Sequence, residues 1–166
     1  MKNIMFLVVI FLILNCNYLQ AQSKWFAAPL VGVSTIENKL GVNANLTLGR
    51  YITSELGVKP FRLRADICAS YFYFSDYNIY STAALVSAVD IRDKMYTYVS
   101  MGFGIQKIEN HSKYDFIIPL RMTLPYTSYR LNEKMFLGLD CAVNLNLSDF
   151  WGGSPVYLGL FLGIGM

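Results

Sequence analysis

The chain has 166 residues, of which 54% are apolar and only 15% are charged, a composition that excludes intrinsic disorder. Fourteen Lys and Arg residues against eleven Asp and Glu residues give a formal net charge of +3, an excess too small to indicate nucleic acid as a partner. This length favours one domain of ordinary size.

The first segment is predicted to be a secretory signal peptide rather than part of the fold. Lys2 gives a positive start, Ile4 to Leu14 is an unbroken apolar run, and polar residues then lead to Ala21, where we place the cleavage site. As a helix this run rises about 16 Å, roughly half of a bilayer core, so it is too short for a spanning anchor. A lipoprotein acylated at Cys16 is the alternative, which the asparagine before that cysteine disfavours. We therefore expect a signal peptide over residues 1–21.

Residues 22–166 are predicted to form one all-β domain, because apolar and polar residues alternate along most of their length. Strand side chains point to opposite faces in turn, so a period of two predicts strands with one apolar and one polar face. The alternation is clearest from Phe61 to Tyr73 and from Met135 to Leu147. In chain order the predicted strands are 24–36, 39–52, 60–73, 79–91, 95–108, 114–127, 134–147 and 155–166. Turn or polar residues occupy the connections between them.

The composition of the two faces predicts which face meets lipid. A soluble carrier barrel alternates too, with its apolar residues inside, so the period alone does not separate the two kinds of barrel. Here the other face is rich in Gly, Ala, Ser, Thr and Asn with few charges, which suits a crowded interior better than a surface in water. Strands of about 11–14 residues are also long enough to cross a bilayer at a tilt. We expect an eight-stranded antiparallel up-and-down transmembrane β-barrel, with a soluble periplasmic lipocalin-like carrier as an alternative.

Aromatic residues gather near the predicted strand ends, which favours two girdles at the headgroup level of a membrane. One end carries Trp25, Phe26, Tyr51, Phe61, Tyr96, Tyr98, Tyr126, Tyr129 and Phe136. The other end carries Tyr71, Tyr73, Phe74, Tyr77, Tyr80, Tyr114, Phe116, Phe150, Trp151 and Tyr157.

Two segments resemble a known family. Tyr96–Gly104 resembles the aromatic–glycine strand of the small eight-stranded outer-membrane barrels, that is, the OmpA-like transmembrane domain and its relatives. Leu48–Thr53, followed by Leu56–Val58, resembles their second periplasmic hairpin, and the resemblance extends over nearly all of residues 24–166. It implies an integral protein of the outer membrane of a Gram-negative bacterium. The partners of such a protein would be outer-membrane lipids and lipopolysaccharide, and another envelope protein is a further possible partner.

Charged residues on the polar face are expected to lie in the lumen of such a barrel. Eight strands enclose an interior that side chains just fill, so these charges are expected to pair with one another and with water. The residues predicted to form this ion-pair network are Arg62, Arg64, Asp66, Asp90, Arg121 and Asp140. A filled lumen indicates no wide pore and favours a structural or surface-interaction role.

The outer connections hold the predicted surface contacts, which are Lys107, His111, Lys113, Phe150 and Trp151. Lys107 and Lys113 have the charge to meet lipopolysaccharide phosphates. The aromatic pair at 150–151 is expected to anchor in the membrane interface or to contact a partner.

Catalytic and metal-binding patterns are mostly absent from the sequence. His111 is the lone histidine, its neighbour Ser112 would face away from it on a strand, and there is no CxxC pair, so neither an activated nucleophile nor a zinc site is indicated. Cys68 and Cys141 fall on opposite faces, which argues against a disulfide. We expect a non-enzymatic protein without a cofactor or metal. A lipid A-modifying enzyme is the alternative, because a palmitoyltransferase and a deacylase of lipid A are also small eight-stranded barrels.

Overall fold

The computed structural model describes residues 25–52, 61–92, 95–109, 111–132, 134–147 and 154–165. The predicted signal peptide over residues 1–21 with Cys16 lies outside these residues, and so do Phe150 and Trp151. Within the described ranges, no helix is long and apolar enough to cross a membrane.

The described residues form nine antiparallel strands in one sheet. In chain order they are β1 (Trp25–Ile36), β2 (Lys39–Tyr51), β3 (Phe61–Tyr73), β4 (Asn78–Arg92), β5 (Met95–Ile108), β6 (Asp115–Thr123), β7 (Tyr129–Arg130), β8 (Met135–Asn146) and β9 (Val156–Gly165). Sequential strands pair from β1 to β6, β1 pairs with β9, and a pairing of β6 with β8 closes the sheet. Both β6 and β7 pair with β8, so they are two parts of one wall strand. The predicted eight-stranded antiparallel barrel is confirmed.

The two ends of the barrel differ in their connections. We call the end that holds Trp25 and Gly165 the terminal end and the opposite end the hairpin end. The turn at Glu37–Asn38 lies at the hairpin end, and both residues have positive φ angles, 46° and 66°. Two successive positive φ values match the two-residue turns that suit the twist of a β-hairpin.

The register of the strands sets their tilt. The chain of paired residues that starts at Trp25 and runs once round the barrel passes Arg50, Ala65, Val86, Met101, Leu120, Val143 and Val156 before it returns to β1 at Thr35. The stagger is therefore about ten residues at about 3.3 Å each, against eight strands about 4.8 Å apart, which gives a tilt of about 40°. Membrane-spanning barrels have tilts in this range.

The apolar face of the strands points outward. Val31, Met101 and Phe103 on the outer surface are 64%, 61% and 74% exposed, whereas Asn45 and Ser87 on the inner face are buried. This arrangement is the reverse of the one that a soluble carrier needs, because such a carrier encloses its apolar residues. A broad exposed apolar band of this kind marks an interaction surface.

Some residues predicted to lie in the aromatic girdles lie inside the barrel instead. These are Phe26, Tyr96, Tyr98 and Phe136 near the terminal end and Phe74 and Tyr157 near the hairpin end. They share the inward face of their strands, and glycines leave room for two of the inward rings. A Cβ added to Gly163 would lie 2.9 Å from the Phe26 ring, and one on Gly138 would lie 2.8 Å from the Phe161 ring. Other predicted members, such as Trp25 and Tyr129, are exposed near the strand ends, as a girdle requires.

The sixth predicted strand, 114–127, is interrupted. Strand β6 ends at Thr123, and the chain bulges out before β7 begins at Tyr129. Two features cause the break: Pro125 has no N–H to donate, and Tyr126 has a φ of 63°, which strand backbone does not adopt. The Ser128 hydroxyl accepts a hydrogen bond from the Tyr96 backbone N–H at 3.3 Å, so a side chain bridges the wall where the strand pairing stops.

Candidate functional site

The first polar cluster of the lumen is centred on Arg64 and Asp66 of β3. The Arg64 Nε and Nη2 atoms donate to the two Asp66 carboxylate oxygens at 2.6 and 2.9 Å, and both side chains are 1% exposed. The Ser87 hydroxyl donates to the same carboxylate, and the Arg64 guanidinium also donates to the Tyr96 hydroxyl. The guanidinium lies 3.8 Å from the centre of the Phe26 ring, so it is held by charge, hydrogen bonds and a cation–π contact together.

The second cluster is centred on Arg121 of β6, whose side chain crosses the lumen. Its Nη2 atom donates to Asp140 on neighbouring β8 at 2.8 Å. Its Nη1 atom donates to the Thr47 hydroxyl at 2.7 Å and to the Cys68 sulfur at 3.0 Å, on β2 and β3. Arg121 therefore links two sides of the barrel wall and occupies the middle of the lumen.

Tyr98 connects the two clusters. Its hydroxyl donates to the Asp140 carboxylate at 2.5 Å, and its ring centre lies 5.4 Å from the Arg64 guanidinium. Sequence reasoning did not assign Tyr98 or Tyr96 to the lumen. The signal that would have found them is their alternation phase on β5, because Tyr96 and Tyr98 share the phase of Ser100, a small polar residue of the inner face.

Two predicted members of the network lie elsewhere. Arg62 points inward near the terminal end, and its guanidinium lies 6.0 Å from the Tyr51 ring centre. Asp90 is a correction: it pairs in register with Phe61 and Thr97 on the outward face. The inward position next to it belongs to Val89, which is fully buried, and strict alternation along β4 then turns Asp90 outward.

The rest of the described lumen is filled by neutral side chains. Asparagines from β2 and β8 form a polar layer on the hairpin side of Arg121, and the Asn144 amide there donates to the Ser81 hydroxyl at 3.4 Å. Apolar residues close the hairpin end above this layer: Ile36, Phe72, Phe74 and Ile79 are buried together. Hydrogen bonds such as the one between Asn144 and Ser81 therefore connect strands across the lumen.

Those predicted surface residues that the structure describes, Lys107, His111 and Lys113, lie at the hairpin end. Lys107 is on the outward face of β5, with its ammonium 5.5 Å from the Tyr114 ring centre. His111 and Lys113 are exposed in the connection between β5 and β6. At the same end Lys39 donates to the Asp76 carboxylate at 2.8 Å, and this hydrogen bond, helped by one from the Ser75 hydroxyl, lowers the pKa of Asp76.

The described residues contain neither a disulfide nor a group of side chains placed to bind a metal ion. Cys68 and Cys141 are free thiols, the first buried in the lumen and the second on the outward face, as their positions in the alternation predict. Within the residues that the structure describes, no group of three or more His, Cys, Asp and Glu residues is placed to hold a metal ion.

The closed wall, the stagger and the outward apolar face together define the fold of a small eight-stranded outer-membrane-type barrel. Three solved structures are similar to this chain. The outer membrane enzyme PagL matches with a TM-score of 0.57 and 15% identity, over 84% of this chain and 98% of that one. Neisserial surface protein A (NspA) matches with a TM-score of 0.57 and 11% identity, over 87% of this chain and 97% of that one.

The third similar structure is Ail, the attachment invasion locus protein of Yersinia pestis, with a TM-score of 0.53 and 9% identity over 87% of this chain and 98% of that one. No family model and no curated protein matches the sequence. At these identities the likeness shows the fold, and it confirms the predicted resemblance to small outer-membrane barrels.

Proposed function

We propose that this protein is a small, non-enzymatic integral barrel of the outer membrane of a Gram-negative bacterium, with a structural or surface-interaction role. The outward apolar face on a closed, tilted barrel carries the proposal. Each unpaired backbone group in hydrocarbon costs several kcal/mol, so a sheet crosses a bilayer only when it closes on itself. The side chains on the outside, such as Val31 and Phe103, have the chemistry of a surface solvated by acyl chains.

The filled lumen supports a structural role without a wide pore. Arg121 lies across the centre, and aromatic or apolar residues occupy both ends of the described interior. The two buried ion pairs each bring one positive and one negative charge into the lumen. Transport of solutes through such an interior would require these side chains to leave their partners.

Lipopolysaccharide is the partner proposed for the hairpin end. Lys107 pairs in register with Tyr80 on the outward face, and its ammonium faces the Tyr114 ring. A cation among tyrosines at the boundary between hydrocarbon and headgroups suits a phosphate group. His111 and Lys113 lie just beyond this boundary. The aromatic pair at 150–151 is proposed to contact the same lipid layer or a second envelope protein.

Membrane fractionation tests the location. We expect the protein in the outer-membrane fraction, resistant to carbonate extraction, with a mobility in SDS gels that changes on heating, because a closed barrel resists SDS until it is boiled. Recovery of the folded protein in the soluble periplasmic fraction would contradict the proposal.

Binding of purified lipopolysaccharide to the barrel in detergent tests the partner. The double variant Lys107→Gln/Lys113→Gln removes two cations from the hairpin end, and we expect it to bind several-fold more weakly and to lose most of its salt dependence. Arg130→Gln, at the terminal end, is the matched control and should bind as the wild type does. Equal loss in the two variants would rule out a contact specific to the hairpin end.

The similarity to the outer membrane enzyme PagL supports an enzymatic role as a second candidate, and lipid A modification, the alternative raised by the sequence, is the reaction to test. Mass spectrometry of lipid A from cells with and without the protein separates the two functions. We expect identical lipid A in both. A defined acyl change that appears with the protein and disappears with His111→Ala would establish the enzymatic function instead.

A further inference from the structure

The geometry points to a binding site for one anionic phospholipid on the outer surface of the seam between β1 and β9. The headgroup would lie at the terminal rim, near Trp25, Arg50 and Lys134, and one acyl chain would lie in a groove beside Pro29. This inference rests on the membrane location proposed above and names a lipid that the proposed function does not include.

The seam contains a gap in its strand pairing. Strand β1 pairs with β9 at Ala27 and again at Leu30, but neither Ala28 nor Pro29 has a partner among the described residues of β9. On its other side, Pro29 pairs normally with Leu46 of β2. A proline has no N–H for the ladder and is unusual inside a closed sheet. The ladder between the first and last strands is therefore interrupted at these two residues, although the register is the same on both sides of the gap.

An apolar groove of about 200 Å³ lies at this gap. Its lining includes the outward residues Pro29, Val31, Leu160 and Leu162 and the inward residues Leu30 and Phe161. All of these side chains are apolar, so an acyl chain lying in this open groove would make dispersion contacts with both strands of the seam. Because the inward residues Leu30 and Phe161 take part in the lining, the groove reaches between the outward side chains of the two strands.

The rim above the groove is cationic. Trp25 is 53% exposed, and the Arg50 guanidinium, paired with it in register, lies 5.7 Å from its ring centre. Across the seam, the Gly165 N–H donates to the Lys134 carbonyl at 2.6 Å, which places exposed Lys134 on the same rim.

The two ends of the barrel also differ in charge. Charged side chains described at the terminal end are Arg50, Arg62, Arg130 and Lys134 against Asp90. Those at the hairpin end are Lys39, Lys107 and Lys113 against Glu37, Asp76, Glu109 and Asp115. The positive excess at the terminal end is complementary to an anionic headgroup, and each cation near a charged lipid surface contributes about 1 kcal/mol to attraction.

The distance between the rim and the groove matches the distance between the headgroup and the acyl chain of one phospholipid. From Trp25 to Pro29 is about 13 Å along the strand, which at a tilt of about 40° is about 10 Å along the membrane normal. Val31 lies about 15 Å from the rim by the same measure, which is half of a hydrocarbon core of about 30 Å. A lipid with its phosphate at Arg50 therefore places in the groove the half of an acyl chain that is nearer to the middle of the bilayer.

Photo-crosslinking tests the site in vesicles of phosphatidylcholine that contain a small fraction of a phospholipid with a diazirine in mid-chain. The probe carries either a phosphatidylglycerol or a phosphatidylcholine headgroup, and crosslinks are located by mass spectrometry. We expect saturable labelling near Val31 and Leu160 that is at least severalfold stronger for phosphatidylglycerol. The double variant Arg50→Gln/Lys134→Gln removes two cations of about 1 kcal/mol each and should lower the apparent affinity of the anionic probe about thirtyfold. Lys39→Gln, at the hairpin end, is the control and should leave the affinity unchanged.

Two results would overturn the inference. One is equal labelling of the seam and of the β5 face around Met101 and Phe103, and the other is equal labelling by the two headgroups. Val31→Phe, which fills the groove and keeps the rim charges, should abolish the mid-chain crosslink at the seam while the protein keeps its heat-dependent gel mobility. Absence of labelling on every face of the folded barrel would instead contradict the membrane location itself.

Discussion

Replacing Arg121 by methionine tests whether the lumen charges stabilise the barrel as pairs. Methionine keeps much of the side-chain length but removes the hydrogen bonds to Thr47, Cys68 and Asp140 at 2.7, 3.0 and 2.8 Å. The Asp140 side chain is 0% exposed and would keep only Tyr98 as a hydrogen-bond donor among the described residues. Removing one partner of a buried ion pair costs about 3–5 kcal/mol, so we expect Arg121→Met to lose about 4 kcal/mol of stability.

Urea unfolding of the barrel in lipid vesicles, followed by tryptophan fluorescence and by gel mobility, measures this loss. The double variant Arg121→Met/Asp140→Asn leaves no unpaired charge at this site, so we expect it to recover at least half of the stability that Arg121→Met loses. The reasoning is refuted if Arg121→Met unfolds at the wild-type urea concentration, or if the double variant is no more stable than the single one.

Three further changes test the wall and the hairpin end. Leu160→Arg places a charge on the outward face and should cost about 2–4 kcal/mol in vesicles; folding with an unchanged urea midpoint would contradict the outward assignment. Gly32→Ala should cost about 1–3 kcal/mol of stability, because the new Cβ would lie 2.2 Å from the Leu158 carbonyl oxygen. An unchanged urea midpoint would contradict this close approach of β1 and β9. Lys39→Met should raise the pKa of Asp76 towards its ordinary value, as read by carbon-13 NMR titration. Because the folded pKa of Asp76 is lowered, the pair favours folding at neutral pH and stops doing so as the pH falls through that pKa, and a variant with an unshifted pKa would contradict this contact.

Alternation alone was enough to place Arg64, Asp66, Arg121 and Asp140 on the inner face, because each lies among small or polar neighbours of the same phase. It failed for Asp90, since β4 carries small residues on both faces and its phase is ambiguous in the sequence.

The side-chain contacts that cross the lumen could not be predicted from the sequence, for a different reason. The bond between Arg121 and Thr47 depends on the ten-residue stagger of the closed barrel, which no single strand encodes. The positions of Tyr96 and Tyr98 were missed because an aromatic ring near a strand end suits the membrane interface and the barrel interior equally well. Pro125 was visible in the sequence, but the Tyr126 backbone angle that completes the bulge was not.

Two contacts in the lumen are expected to form at different stages of folding: the Arg64–Asp66 ion pair and the hydrogen bond from Arg121 to Thr47. Arg64 and Asp66 are two residues apart on one strand, so they can neutralise each other while the chain is still an open sheet. The Arg121 bond to Thr47 joins positions 74 residues apart, and such non-local contacts form late because a long loop must close first. The bond between Arg121 and Thr47 therefore forms only when the barrel has closed, and a trapped assembly intermediate should hold the Arg64–Asp66 pair and lack this bond.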